Sequence, residues 1–216
     1  MTPALDALAA EIGAEAASTR HHGRPGLPAR AKAAWADRVA REVGPHDLAA
    51  CAAHLVAHRH PTVRQVGLAL LARPEVDAAQ AERLAGQLAD DPDWEVREWV
   101  VEPLVAHTVR GGSGWLARWV QEDGGRRRAA VVATRQLVRR RAIDCATALT
   151  VATAVVDDPT PYVAASVGTF LLADGIVLRC PDAFHEWVKN LGPCPADSPR
   201  SRHLAAVARR HPWTAT

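Results

Sequence analysis

The sequence predicts an all-α protein: a HEAT-like repeat α-solenoid of about six helical hairpins with a concave basic groove. Three observations predict it. Apolar residues make up 48% of the 216 residues and are mostly Ala, Val and Leu, while Gly and Pro fall at intervals rather than in tracts. Four segments share one pattern: "HRHPTVRQVGLALLARP" (57–73), "DDPDWEVREWVVEPLVA" (90–106), "QEDGGRRRAAVVATRQL" (121–137) and "VDDPTPYVAASVGTFLL" (156–172). Each opens on a polar turn and continues as an apolar-periodic run. Val63, Val96, Arg126 and Val163 are equivalent, at spacings of 33, 30 and 37 residues. Further helical stretches, 46–58, 77–89, 113–121, 143–156 and 182–191, alternate with these four. The repeating unit is therefore a helical hairpin, which buries its apolar stripe only by stacking on its neighbours.

In chain order, residues 1–29 read as an N-terminal helix followed by a loose linker, "HHGRPGLPAR". Residues 30–192 form the repeat domain. Its Asp-Pro turns start helices cleanly, since Asp caps the first turn and Pro is tolerated there. The helices over 94–109, 126–141 and 161–174 are expected to line the concave face. Residues 193–216 are a polar, Pro-rich tail with one short helix, "SRHLAAVARRH".

Several classes are set aside by composition. The N-terminus carries Asp6, Glu11 and Glu15 and no basic region, which argues against a signal peptide. No uninterrupted apolar run of about 18 residues is apparent, so no membrane span is expected. Cys51, Cys145, Cys180 and Cys194 lack metal-binding spacing and read as reduced intracellular thiols. The cytoplasm is the expected location. The net charge of +2 says little, but nine arginines lie between Arg110 and Arg141 against two acids, Glu122 and Asp123. Such a run is either a solvated face in an Arg-rich composition or a footprint for a polyanion.

Two clusters carry chemistry. In "DDPDWEVREWVVEPL" (90–104), Trp94 and Glu98 lie four apart and share a helix face. A tryptophan beside a carboxylate suits a flat cation, held by stacking, cation–π attraction and ion pairing. The structural alternative makes Trp94 a corner packing residue and Glu98 a partner of Arg97 or Arg128. The second cluster is "RRRAAVVATRQLVRRR" (126–141). Arg128, Arg135 and Arg139 form one stripe of that helix, opposite Ala130, Ala133, Leu137 and Val138. Arg126 and Arg127 sit at its N-terminus, where the helix dipole favours phosphate. Trp115 and Trp119, four apart, read as packing. His54, His58 and His60 have no carboxylate or thiol at ligand spacing, so no metal is expected.

These segments together resemble the HEAT-like DNA alkylation repair glycosylases of the AlkD and AlkC type, over roughly residues 45–192. "DWEVREW" resembles the family's Trp-x-x-x-acid element, and "EWVVEPL" (98–104) the AlkC pattern of Glu, aromatic, aliphatics and Pro. "RRRAAVVATR" (126–135) is similar to the Arg-Arg-aliphatic helix of the next repeat, and 161–188 to the last repeat. The resemblance implies excision of N3- or N7-alkylated purines from duplex DNA, by a monomer without cofactor or metal, in the cytoplasm at the nucleoid. It implies that Trp94 is a stacking wall, Glu98 the catalytic carboxylate, and Arg127 or Arg128 a phosphate clamp. The DNA-binding set expected is Arg97, Arg127, Arg128, Arg135 and Arg139, with Trp99 and Phe170 as further aromatics against the lesion. The chain departs from AlkD-type members where their second active-site tryptophan would fall, which here is Thr169. Two alternatives accompany this reading: a catalytically inactive DNA-binding relative, and a HEAT-type scaffold that binds a peptide.

Overall fold

The computed structural model describes residues 2–111, 114–122 and 124–212. Ser113 of the expected 113–121 helix, Asp123, and the last four positions of the tail lie outside the described residues. The described chain is all-α apart from one two-stranded hairpin. It divides into two compact units, 1–107 and 108–216.

The first unit opens with α1 (Thr2–Ser18), which buries Leu5, Leu8, Ile12 and Ala16 along one face. The segment expected as a loose linker is instead a hairpin, β1 (Arg20–His21) and β2 (Arg24–Pro25). His22 and Gly23 both take positive φ, 51° and 79°, the geometry that a two-residue hairpin turn demands. Four helices follow: α2 (Ala29–Val43), α3 (Leu48–Val56), α4 (Pro61–Leu71) and α5 (Ala78–Gln87). Trp35 Nε1 donates to Glu15 Oε2 at 2.8 Å and ties α2 to α1. The α3–α4 pair packs tightly at Gly67, where a Cβ would meet the Val56 backbone nitrogen at 2.8 Å. The histidines expected to bind no metal serve local structure. His54 pairs with Asp6, and the His60 ring accepts from Thr62 N at the start of α4.

The helix expected over 94–109 is broken. It forms α6 (Trp94–Trp99) and α7 (Val101–Val109), separated at Val100. Pro103 explains the break: it has no N–H to give the Trp99 carbonyl four residues back, and its ring crowds that carbonyl.

The second unit contains α8 (Gly114–Trp119), α9 (Gly124–Arg139) and α10 (Cys145–Val155). Trp115 and Trp119 are buried and meet edge-on at 5.6 Å, and Trp115 Nε1 donates to Thr108 Oγ1 at 2.7 Å. Arg140 and Arg141 lie beyond the end of α9, with Arg141 left-handed at φ 57°. The helix expected over 161–174 starts as α11 (Pro161–Ser166) and then widens over Val167–Ile176 to i→i+5 bonding. It closes with α12 (Val177–Arg179), and α13 (Pro181–Asn190) and α14 (Pro199–Arg210) complete the unit. By length and composition alone, Pro161–Arg179 is apolar enough to cross a membrane, a test that the buried core helix of a folded domain also passes. More than half of it is buried here, with the widened segment against α9 and α14.

The cysteine expectation is also corrected. Cys145 and Cys180 are disulfide-bonded, joining the start of α10 to the α12–α13 junction, while Cys51 and Cys194 are free. Burial pushes the Cys51 thiol up to about 11.

One structural device recurs with the repeat. Arg64, Arg97 and Arg127 directly follow the equivalent positions 63, 96 and 126. Each reaches back to carbonyls of its own turn: Arg64 to Arg59 O at 2.8 Å, Arg97 to Asp91 O at 2.6 Å, Arg127 to Val120 O at 3.1 Å. Two of them also grip an aspartate in a later turn. Arg64 pairs with Asp91 at 2.9 Å and Arg127 with Asp158 at 2.7 Å. Those aspartates accept the backbone N–H two residues on, from Asp93 at 2.9 Å and Thr160 at 2.8 Å. A guanidinium suits this task because its several donors are held in one rigid fork.

Candidate functional site

In the first unit, α6 begins where Asp93 caps it, accepting from Glu95 N at 2.9 Å. That cap sets the phase of the helix. Trp94, Glu95, Glu98 and Trp99 then line one cavity of about 140 Å³ with His21, His22, Ala29 and Lys32. Trp94 is 50% exposed, the state of a side chain that packing does not claim. Glu98 is half-buried beside it, as the four-residue spacing predicted. Trp99 contributes a second aromatic wall.

The cavity's electrostatics come from residues the sequence did not single out. Glu95 is the hub. It accepts from Arg24, whose Nη2 lies 2.8 Å away, and from Gln65 Nε2 at 3.4 Å, and Lys32 Nζ lies at 3.7 Å. Burial disfavours the Glu95 carboxylate. The hydrogen bonds from Arg24 and Gln65 and the charges of Lys32 and Arg24 outweigh it, so its pKa falls below the usual range. Lys32 is 2% exposed. Burial pulls its pKa down, opposed by Glu95 and reinforced by Arg24. Both tryptophans face cations: Arg24 Cζ lies 5.4 Å from the Trp94 ring centre and Lys32 Nζ 5.0 Å from that of Trp99. One signal pointed to Lys32 in advance: of the 26 basic side chains, only Lys32 and Lys189 are lysines. Glu95 was legible only as a first-turn acid, and Arg24, His21 and His22 belong to a turn whose fold the sequence hid.

In the second unit, α9 carries the expected arginine stripe. Arg128 Cζ lies 4.8 Å from the Tyr162 ring centre, and Arg135 Cζ 5.6 Å from that of Phe170, which is 46% exposed. Arg135 also approaches Asp174 at 3.9 Å, and Asp174 pairs with Arg210. Arg139 is exposed at the end of the helix. The stripe thus alternates cations with aromatic faces. Arg127 and Arg97 stand apart from it: the turn carbonyls, and Asp158 for Arg127, engage their guanidinium groups. Thr169, half-buried, supplies no ring, and its neighbour Phe170 is the exposed aromatic.

The comparison with solved structures finds the crystal structure of AlkD2 from Streptococcus mutans. The match has a TM-score of 0.76 and covers 95% of this chain and 98% of that chain, at 15% sequence identity. At that identity the likeness establishes the fold: the all-α helical-repeat architecture expected from the repeat pattern is found, and it is shared with AlkD2. No family model matches the sequence, and no curated protein matches it.

Proposed function

We propose that this protein binds duplex DNA and releases N3- or N7-alkylated purines from it. The observation that carries the reading is the small cavity in which half-exposed Trp94 stands beside Glu98 and Trp99. Its volume is about 140 Å³. Sites that enclose drug-sized ligands run to about 300–1,000 Å³. A cavity of this size suits a sugar edge or a cationic ring edge rather than a whole flipped base.

The chemistry follows from the substrate's charge. An alkylated purine already carries a positive charge, so it leaves without a general acid. What remains is to stabilise the oxocarbenium-like sugar and to position water. Glu98 supplies a carboxylate for both tasks in a partly dry site. Trp94 offers a face to a flat cation, a preference already expressed by the Arg24 guanidinium lying over it. Arg128, Arg135 and Arg139 contact the phosphates, and Tyr162 and Phe170 brace the first two. Arg97 and Arg127 act through the turns they hold. The reading places the protein with the chromosome.

One observation favours a second reading, a DNA-binding relative without catalysis: Thr169 supplies no ring at the position where the sequence resemblance implies a second tryptophan. Incubation with duplexes carrying N7-methylguanine or N3-methyladenine, with detection of freed base, separates the two. The first reading expects release by wild type. It also expects loss of about a hundredfold or more in rate for Glu98→Gln with unchanged duplex affinity. Binding without release would leave the second reading. No duplex binding at all would leave a scaffold.

A further inference from the structure

Lys32 is out of place twice over. The chain answers nearly every need for a cation with arginine, and lysine occurs only at positions 32 and 189. Arginine is also the better residue for a buried ion pair, because its charge is more weakly hydrated and it pairs through a rigid fork. Yet the buried cation of the Trp94–Glu98 cavity is a lysine, 2% exposed and paired to Glu95 at 3.7 Å. What lysine offers and arginine does not is a side chain that sheds its proton and becomes a nucleophile.

We propose that Lys32 is an amine nucleophile that captures the aldehyde of an abasic deoxyribose in this cavity, giving the site strand-cleaving lyase activity. The proposal rests on the DNA reading above, since excision of a base leaves that sugar. Three features support it. Lys32 lines the cavity together with Glu98 and both tryptophans, and its Nζ lies 5.0 Å from the ring centre of Trp99, one of the cavity's walls. Burial pulls the Lys32 pKa down, and Arg24 adds to it; Glu95 and Asp93 pull the other way, and the net direction is downward, toward the neutral amine. Arg24 holds Glu95 at 2.8 Å, closer than Lys32 does, so the carboxylate keeps a partner when Lys32 is uncharged.

The steps balance. Lys32 loses a proton to solvent, and its nitrogen lone pair adds to C1′ of the ring-opened sugar. One amine proton moves to the former carbonyl oxygen, a second proton comes from solvent, and that oxygen departs as water, leaving a protonated imine. The imine acidifies the C2′ hydrogen. Glu98 takes that proton, the C3′–O bond breaks, and the 3′ phosphate leaves as the strand is cut. Hydrolysis of the unsaturated imine returns Lys32.

The test uses the full chain with a duplex carrying a preformed abasic site, in the presence of cyanoborohydride. The reductant converts an imine to a stable secondary amine. Only Lys32, Lys189 and the N-terminal amine can form such an adduct, so peptide mass mapping assigns it. The expected result is an adduct at Lys32 that disappears in Lys32→Arg and Lys32→Met and persists in Lys189→Arg. Circular dichroism of the two Lys32 variants reports whether they fold. Glycolaldehyde with cyanoborohydride, without DNA, is the second arm: wild type is expected to react at Lys32 ahead of the exposed amines at neutral pH. An adduct confined to Lys189 or the N-terminus in both arms overturns the proposal. Base release or duplex binding without any Lys32 adduct overturns it and leaves the DNA reading intact. No duplex binding, with Lys32 still modified first by glycolaldehyde, overturns the DNA reading and keeps the nucleophile.

Discussion

Replacing Arg127 with methionine asks whether this arginine clamps phosphate or holds the fold. The methionine keeps much of the side chain's apolar volume and removes every donor. In the second unit Arg127 Nη1 lies 2.7 Å from Asp158 Oδ2, and the Asp158 side chain is 1% exposed. Removing the cation leaves a buried carboxylate with Thr160, through its backbone N–H and its side chain, as its remaining partner. Breaking one side of a buried pair costs about 3–5 kcal/mol. The lost bond from Nε to the Val120 carbonyl, at 3.1 Å, adds about 1 kcal/mol. For a chain of this length, the lower end of that range lowers the melting temperature by about 6–12 °C. The pH dependence supplies a second check. Burial disfavours ionised Asp158, but the hydrogen bonds from Arg127 and Thr160 prevail, and its pKa is lowered. A depressed folded pKa stabilises above the unfolded value, about 3.9, and that contribution disappears as pH falls through the folded value. The gap between wild type and variant is therefore full at neutral pH and narrows below about pH 4, where protonated Asp158 no longer needs the guanidinium. Thermal melts followed by circular dichroism across this range measure it, with duplex affinity measured in parallel at two salt concentrations. Unchanged melting together with weakened duplex binding and a salt slope reduced by about 0.9 would refute the structural assignment and make Arg127 a phosphate contact.

Reversing Arg128 and Arg135 to glutamate together is expected to abolish duplex binding while circular dichroism stays helical, because both lie on the partly exposed face of α9. Unchanged affinity would remove the α9 stripe from the DNA interface. Gly67→Ala is expected to cost about 1–3 kcal/mol in denaturant unfolding, since the new methyl would meet Val56 backbone at 2.8 Å; a neutral result would mean that α3 and α4 separate without strain.

The sequence alone carried the architecture. Turn, helix start and apolar period recur so regularly that stacked helical hairpins were the reading, because local capping and 3.6-residue periodicity are written in neighbouring residues. It also placed Trp94 and Glu98 on one face, since a four-residue spacing is a property of the helix itself. Tertiary structure decided what distant residues do to one another. Glu95 gathers Arg24, Gln65 and Lys32, which lie 71, 30 and 63 positions away in the chain and come together only when α2, α4, α6 and the hairpin pack. The hairpin was hidden because positive φ at His22 and Gly23 leaves only a faint mark in "HHG". Arg127 resembled its neighbours in a basic run and Arg97 stood beside an acidic, aromatic cluster, and only the turn carbonyls and Asp158 separate them from the stripe of Arg128, Arg135 and Arg139. The Cys145–Cys180 bond spans 35 residues with no spacing rule to announce it. Local periodicity is encoded residue by residue. A charge network is a matter of ångströms across the fold, and those distances exist only after the helices have stacked.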